Sequence, residues 1–76
     1  MNKDRRKQLE EVKSRLESIS EDLESIKGDE EEYWNNIPEN LQDSARYTQA
    51  EDAITNLDEA IENIGFAIDN IDVAAE

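Results

Sequence analysis

From Tyr47 to Ala75 the apolar residues recur in steps of three and four without a miss: Tyr47, Ala50, Ile54, Leu57, Ile61, Ile64, Ile68, Ile71 and Ala75. A half-buried strand would alternate every second residue. This spacing is that of an α-helix packed along one seam. No proline interrupts it, so one helix is predicted over about 44–75. A second stripe, Ala53, Ala60, Ala67 and Ala74, repeats every seven residues beside the first. In heptad terms the seam occupies a and d, and the alanines occupy g. Such a face is wider than a two-stranded seam requires, and its small residues permit close approach of a further helix.

The N-terminal half carries a related pattern. Leu9, Val12, Leu16, Ile19, Leu23 and Ile26 again alternate steps of three and four. Gly28 costs about 1 kcal/mol against Ala in a helix interior, but the register survives it through Glu30, Tyr33 and Ile37. A first helix is predicted over about 4–35, running through Gly28. Pro38 disfavours a helical conformation at Ile37 and can itself open a short helical turn, so residues 36–43 form the connection. Asp43 or Ser44 caps the second helix.

Two helices of similar length with a short connection fold back as an antiparallel hairpin. The 76 residues therefore make one all-α domain, 1–76, with a one-sided core. A chain this short needs reinforcement, and without cysteine a disulfide or thiolate metal site is excluded. Oligomerisation remains. The expectation is a homodimeric four-helix bundle with Ala53, Ile54, Leu57, Ala60, Ile61, Ile64, Ala67, Ile68 and Ile71 at the interface. The antiparallel arrangement also brings the basic Arg5, Arg6, Lys7 end near Asp69 and Asp72.

The formal net charge is −13 and is unevenly spread. Residues 3–15 hold six basic and three acidic side chains, whereas residues 16–44 hold ten acidic and one basic, Lys27. After Arg46 there is no Lys or Arg, but eight acids follow: Glu51, Asp52, Asp58, Glu59, Glu62, Asp69, Asp72 and Glu76. Direct nucleic-acid binding needs the opposite sign, and an anionic membrane surface would repel the chain. Basic protein surfaces are the favoured partners. No apolar stretch can span a bilayer, and no apolar segment follows the basic start as in a secretory signal, so a cytoplasmic protein is expected, bacterial or in a host cell.

Carboxylates are the only abundant reactive groups, and nearly all fall off the seam, where they form a solvated helix face. No histidine is present, so a bundle di-metal site lacks its Glu-x-x-His ligands. Asp29-Glu30-Glu31-Glu32 lacks the alternation and central glycine of a calcium loop. No phosphate loop or nucleophile–base pairing is found. No catalytic, cofactor-binding or metal-binding residue is assigned, no cofactor is implied, and the chain is read as a non-enzyme. Glu30 stands at a seam position near the turn, where it reaches solvent or pairs with Arg46. Tyr33 and Trp34, with Ile37 and Leu41, either plug the end of the hairpin or anchor a partner. Phe66 and Val73 lie off the seam, beside Gly65, and mark a second apolar strip for a dimer or a partner.

A candidate partner surface thus comprises Tyr33, Trp34, Glu31, Glu32, Asp52, Glu59, Glu62 and Phe66. Helix two carries roughly one acid per 5 Å, against one charge per 1.7 Å of B-DNA axis, and a dimer raises that density. A DNA-mimicking decoy is therefore compatible with the charge pattern.

The segments Asp29-Glu30-Glu31-Glu32-Tyr33, Ile37-Pro38-Glu39-Asn40-Leu41-Gln42 with Ser44, and Ala50-Glu51-Asp52-Ala53-Ile54 with Leu57, Ala60 and Ile61 cover about half the chain. They resemble a group of small acidic helical-hairpin proteins of Gram-positive bacteria and their phages, with no assigned activity. The Pro-Glu-Asn-Leu-Gln turn is the distinctive part. The resemblance implies a helical hairpin and a phage or mobile-element origin. The expectation is a non-enzymatic, acidic protein–protein interaction module, in phage hands an inhibitor or decoy acting on a nucleic-acid-binding or defence protein. The alternative is a self-associating scaffold with no charge-dependent partner.

Overall fold

The computed structural model describes all 76 residues. Helix α1 spans Lys3–Asn35, a single 3-10 turn spans Glu39–Leu41, and helix α2 spans Ala45–Ala74. The two long helices pack against each other, and there is no strand.

Side chains satisfy the exposed backbone donors at both helix starts, which fixes where the helices begin. The Asn2 side chain accepts from the Arg5 N–H at 2.8 Å, and the Ser44 hydroxyl accepts from the Tyr47 N–H at 3.4 Å. Of the two candidate caps for the second helix, Ser44 is the one used. Helix α1 runs unbroken through Gly28 and ends at Asn35, as the chain approaches Pro38, whose ring disfavours a helical conformation at the residue before it. Pro38 is extended (φ −57°, ψ 146°) and stands just before the 3-10 turn, where its carbonyl accepts from the Leu41 N–H at 2.8 Å.

The result is a rod of 59 × 15 × 12 Å. Its radius of gyration is 17.4 Å, where a compact chain of this length would have about 11 Å. Only Ile37 and Ala50, 5% and 2% exposed, are buried, and both sit at the turn end. Along the rest of the rod the apolar residues are at best half-covered, because two helices can shield each other on one side only.

Every seam position of α2 from Tyr47 to Ala75 is covered at least in part. The α1 seam departs from the spacing expected of it. Leu9, Val12, Leu16 and Leu23 are half-covered, but Ile19 and Ile26 are 47% and 54% exposed, and Ser20, Lys27 and Trp34 take the inner positions. A strict alternation of three and four assumes 3.5 residues per turn, whereas an α-helix has 3.6 and drifts about 20° per heptad. In α1 the contact passes from Leu16 to Ser20 by a second step of four. From there it follows Leu23, Lys27, Glu30 and Trp34, which leaves the row of Ile19, Ile26 and Tyr33 turned outward.

Candidate interaction surfaces

The hairpin has two unlike flanks. One is polar and cross-linked by ion pairs. Lys13 Nζ lies 2.8 Å from Asp72 Oδ1, and Lys27 Nζ lies 2.5 Å from Asp58 Oδ1 and 3.9 Å from Glu31 Oε1. The hydrogen bond to Asp72, with that carboxylate's charge, raises the Lys13 pKa above its ordinary value. The hydrogen bond to Asp58 raises that of Lys27 against an opposing desolvation. The lysine stems lie along the groove while their ammonium groups reach its edge.

These pairs set the register and orient the flanks. Lys13, Ser20, Lys27 and Trp34 form the α1 row nearest the polar flank. Asp58 and Asp72 stand in the matching α2 row. Rotating each helix past its inner face to the other side gives Val12, Ile19, Ile26 and Tyr33 on α1, and Ala53, Ala60, Ala67 and Ala74 on α2. The ion-pair register brings Tyr33 level with Ala53, Ile26 with Ala60, Ile19 with Ala67 and Val12 with Ala74. The second flank is therefore apolar, with a row of large residues beside a row of small ones.

The next α2 row beyond the alanines is Gln49, Asn56, Asn63 and Asn70, all exposed and none charged. All seven acids of α2 lie on the other rows: Glu51, Asp58 and Asp72 on the polar flank, and Asp52, Glu59, Glu62 and Asp69 on the outer face. In a chain of net charge −13 this is a strong segregation. It was readable in the sequence from the heptad positions of the acids, but a reading that follows apolar residues alone passes over it.

Of the expected interface residues, Ile54, Leu57, Ile61, Ile64, Ile68 and Ile71 are in part spent on α1, whereas Ala53, Ala60 and Ala67 border the apolar flank. Among the expected partner-surface residues, Glu31, Glu32, Asp52, Glu59 and Glu62 are exposed, as are Tyr33 and Phe66 at 45% and 57%. Trp34 is different. Its ring packs against Tyr47 with centroids 5.2 Å apart, at the turn end where Ile37 and Ala50 are buried, so it belongs to a plug at the turn. Leu41, 41% exposed, stays outside that plug. The Trp34 indole Nε1 is out of solvent without a hydrogen-bond partner. Glu30 is half-covered and makes no ion pair with Arg46. At the open end the pair that forms is Lys13–Asp72. Arg6 donates to its own neighbour, the Met1 carbonyl, at 2.8 Å, and Lys3, Arg5 and Lys7 have no carboxylate within 4.0 Å.

Two shallow grooves remain. One lies at the open end among Arg6, Leu9, Lys13, Ile71 and Asp72, and the other near the turn among Glu31, Trp34, Glu51 and Thr55. No group of three His, Cys, Asp or Glu residues is placed to hold a metal ion, and no helix is long and apolar enough to cross a membrane. No protein-family model, curated protein or solved structure matches the chain.

Proposed function

We propose that the chain is a non-enzymatic helical interaction module which self-associates through its apolar flank, as a dimeric four-helix bundle, and presents its acidic face and turn end to a basic protein. The observation that carries this reading is the sorting of charge on α2. Its seven acids occupy the outer face and polar flank, and its alanine and Asn/Gln rows carry none. A surface that is acidic only to keep the chain in solution has no reason to leave one flank neutral. A neutral flank of alanines beside exposed isoleucines suits close helix packing, and the charged remainder suits long-range attraction of a cationic partner.

The narrower form of the reading is competition with duplex DNA for a nucleic-acid-binding protein. A phage origin, which the resemblance of the Pro38–Gln42 turn implies, would make a host defence protein the natural target. The same surface supports a second reading, a scaffold whose only contact is with itself.

The test is binding of a purified partner, first captured from a cell extract at low salt and then measured alone. The reading expects affinity to fall steeply with ionic strength and to drop again in an Asp52→Asn, Glu59→Gln, Glu62→Gln variant. A partner whose affinity ignores both changes, or a chain that binds only itself, leaves the scaffold reading in place.

A further inference from the structure

The apolar flank is open, and its occupant can be argued from area and charge. The chain exposes 5825 Å², whereas a compact chain of 8.7 kDa exposes about 4,700 Å². The excess, about 1,100 Å², is close to what one partner of a standard stable interface buries, about 800 Å². One second copy covering one flank accounts for it.

We propose, resting on the self-association reading above, that this flank is covered by the same flank of a second copy in an antiparallel dimer. Its two-fold axis passes midway between Ile19 and Ile26, so that the turn of each hairpin lies against the open end of the other. Helix α1 then faces its partner's α1, with Ile19 level with the partner's Ile26 and Val12 with the partner's Tyr33. Helix α2 faces its partner's α2 through the alanine rows, with Ala60 level with the partner's Ala67. One axis serves both pairs, because the midpoint of the large row and the midpoint of the alanine row are level within the hairpin.

Charge selects this direction. A two-fold dimer with both turns at one end would set large residues on alanines, but it would also bring Asp29, Glu30, Glu31, Glu32, Glu39 and Asp43 of both copies together. The antiparallel dimer holds those ends apart by a rod of 59 Å, far beyond a Debye length of about 8–10 Å. It also answers a feature that the single hairpin leaves without purpose. Lys3, Arg5, Arg6 and Lys7 crowd the N-terminal end of α1, where cations oppose the helix dipole, and none has a carboxylate partner. In the dimer Arg5, which continues the row of Val12, Ile19 and Ile26, comes level with the partner's turn, and Arg15 comes level with the partner's Asp29. Asp22 meets its own symmetry mate, a local repulsion that weakens the dimer without redirecting it.

The chain has no cysteine, so introduced thiols report cleanly. Ile19→Cys and Ile26→Cys chains, oxidised as an equal mixture, are expected to give a disulfide-linked mixed dimer, while each alone stays uncross-linked. Circular dichroism checks that both variants keep their helix. Asp22→Asn, which needs no oxidation, is expected to tighten the dimer about threefold in sedimentation equilibrium. Cross-linking of Ile19→Cys with Ala67→Cys chains in place of the Ile26→Cys mixture would establish the parallel dimer and overturn the proposal. A dimer by sedimentation that forms no Ile19–Ile26 link, or that ignores Asp22→Asn, overturns the arrangement but leaves self-association standing. A monomer overturns both.

Discussion

Lys27 and Asp58 meet across the hairpin in the same register as Lys13 and Asp72, one pair near the turn and one near the open end. Two cross-links of like geometry hold α1 at one rotation along its length. Their worth lies in choosing that rotation more than in stability, since partly exposed pairs contribute little in water. Lys27→Met and Asp58→Asn are each expected to lower the melting temperature far less than Ile37→Ala. The latter removes a buried side chain at a cost of about 2–4 kcal/mol. Thermal melts of the three variants check the ranking. A large loss in Lys27→Met, which keeps an apolar stem in the groove, would mean that the ion pair itself and not the stem stabilises the hairpin.

The same pairs predict a response to alkali. Both ammonium pKa values are raised above 10.5 by folding, so the pairs stabilise the hairpin fully below pH 10.5 and lose that contribution as pH climbs past it. A Lys13→Arg, Lys27→Arg variant stays protonated there and is expected to hold its melting temperature further into alkali than the parent. Equal alkaline losses in both proteins would show that the lysines do not carry the effect.

Helix α2 was legible because its apolar pattern serves one wide face, which tolerates the drift between 3.5 and 3.6 residues per turn. Its seam positions from Tyr47 to Ala75 are all covered at least in part. Helix α1 was legible as a helix but not in its rotation. Ile19 and Ser20 are adjacent, and the apolar pattern favours the first, yet the helix turns the second inward. Nothing local to α1 settles that choice. The rotation adopted is the one that pairs Lys13 with Asp72 and Lys27 with Asp58, carboxylates on the other helix, far away in sequence. The candidate surfaces divide in the same manner. The acidic outer face follows from counting charges, whereas the apolar flank emerges only when the register of one helix against the other is known.

Glycine gives a separate test of how far the helices are free-standing. A Cβ added at Gly28 or Gly65 meets nothing within 4 Å, and neither residue has a positive φ. Gly28→Ala and Gly65→Ala should therefore each stabilise the chain by about 0.5–1 kcal/mol, a rise of roughly 2–8 °C in melting temperature. The two effects should add, since the sites lie on different helices and share no partner. Loss of stability at Gly65, beside exposed Phe66, would place another surface against that point of α2.

The plug at the turn yields the sharpest contrast. The Trp34 ring packs on Tyr47, but its indole N–H is removed from water with no acceptor. An unpaired buried donor costs about 1–3 kcal/mol, which offsets part of what the ring gains. Trp34→Phe keeps an aromatic ring on Tyr47 and removes the donor, so its cost should stay within about 1 kcal/mol. Trp34→Ala removes both and should cost about 2–3 kcal/mol, because the site is half-buried and can partly close. Denaturant unfolding followed by circular dichroism measures both without relying on tryptophan fluorescence. If Trp34→Phe costs as much as Trp34→Ala, the indole N–H has an acceptor in solution. Glu31, Glu51 and Thr55, which line the groove beside it, are then the side chains to replace next.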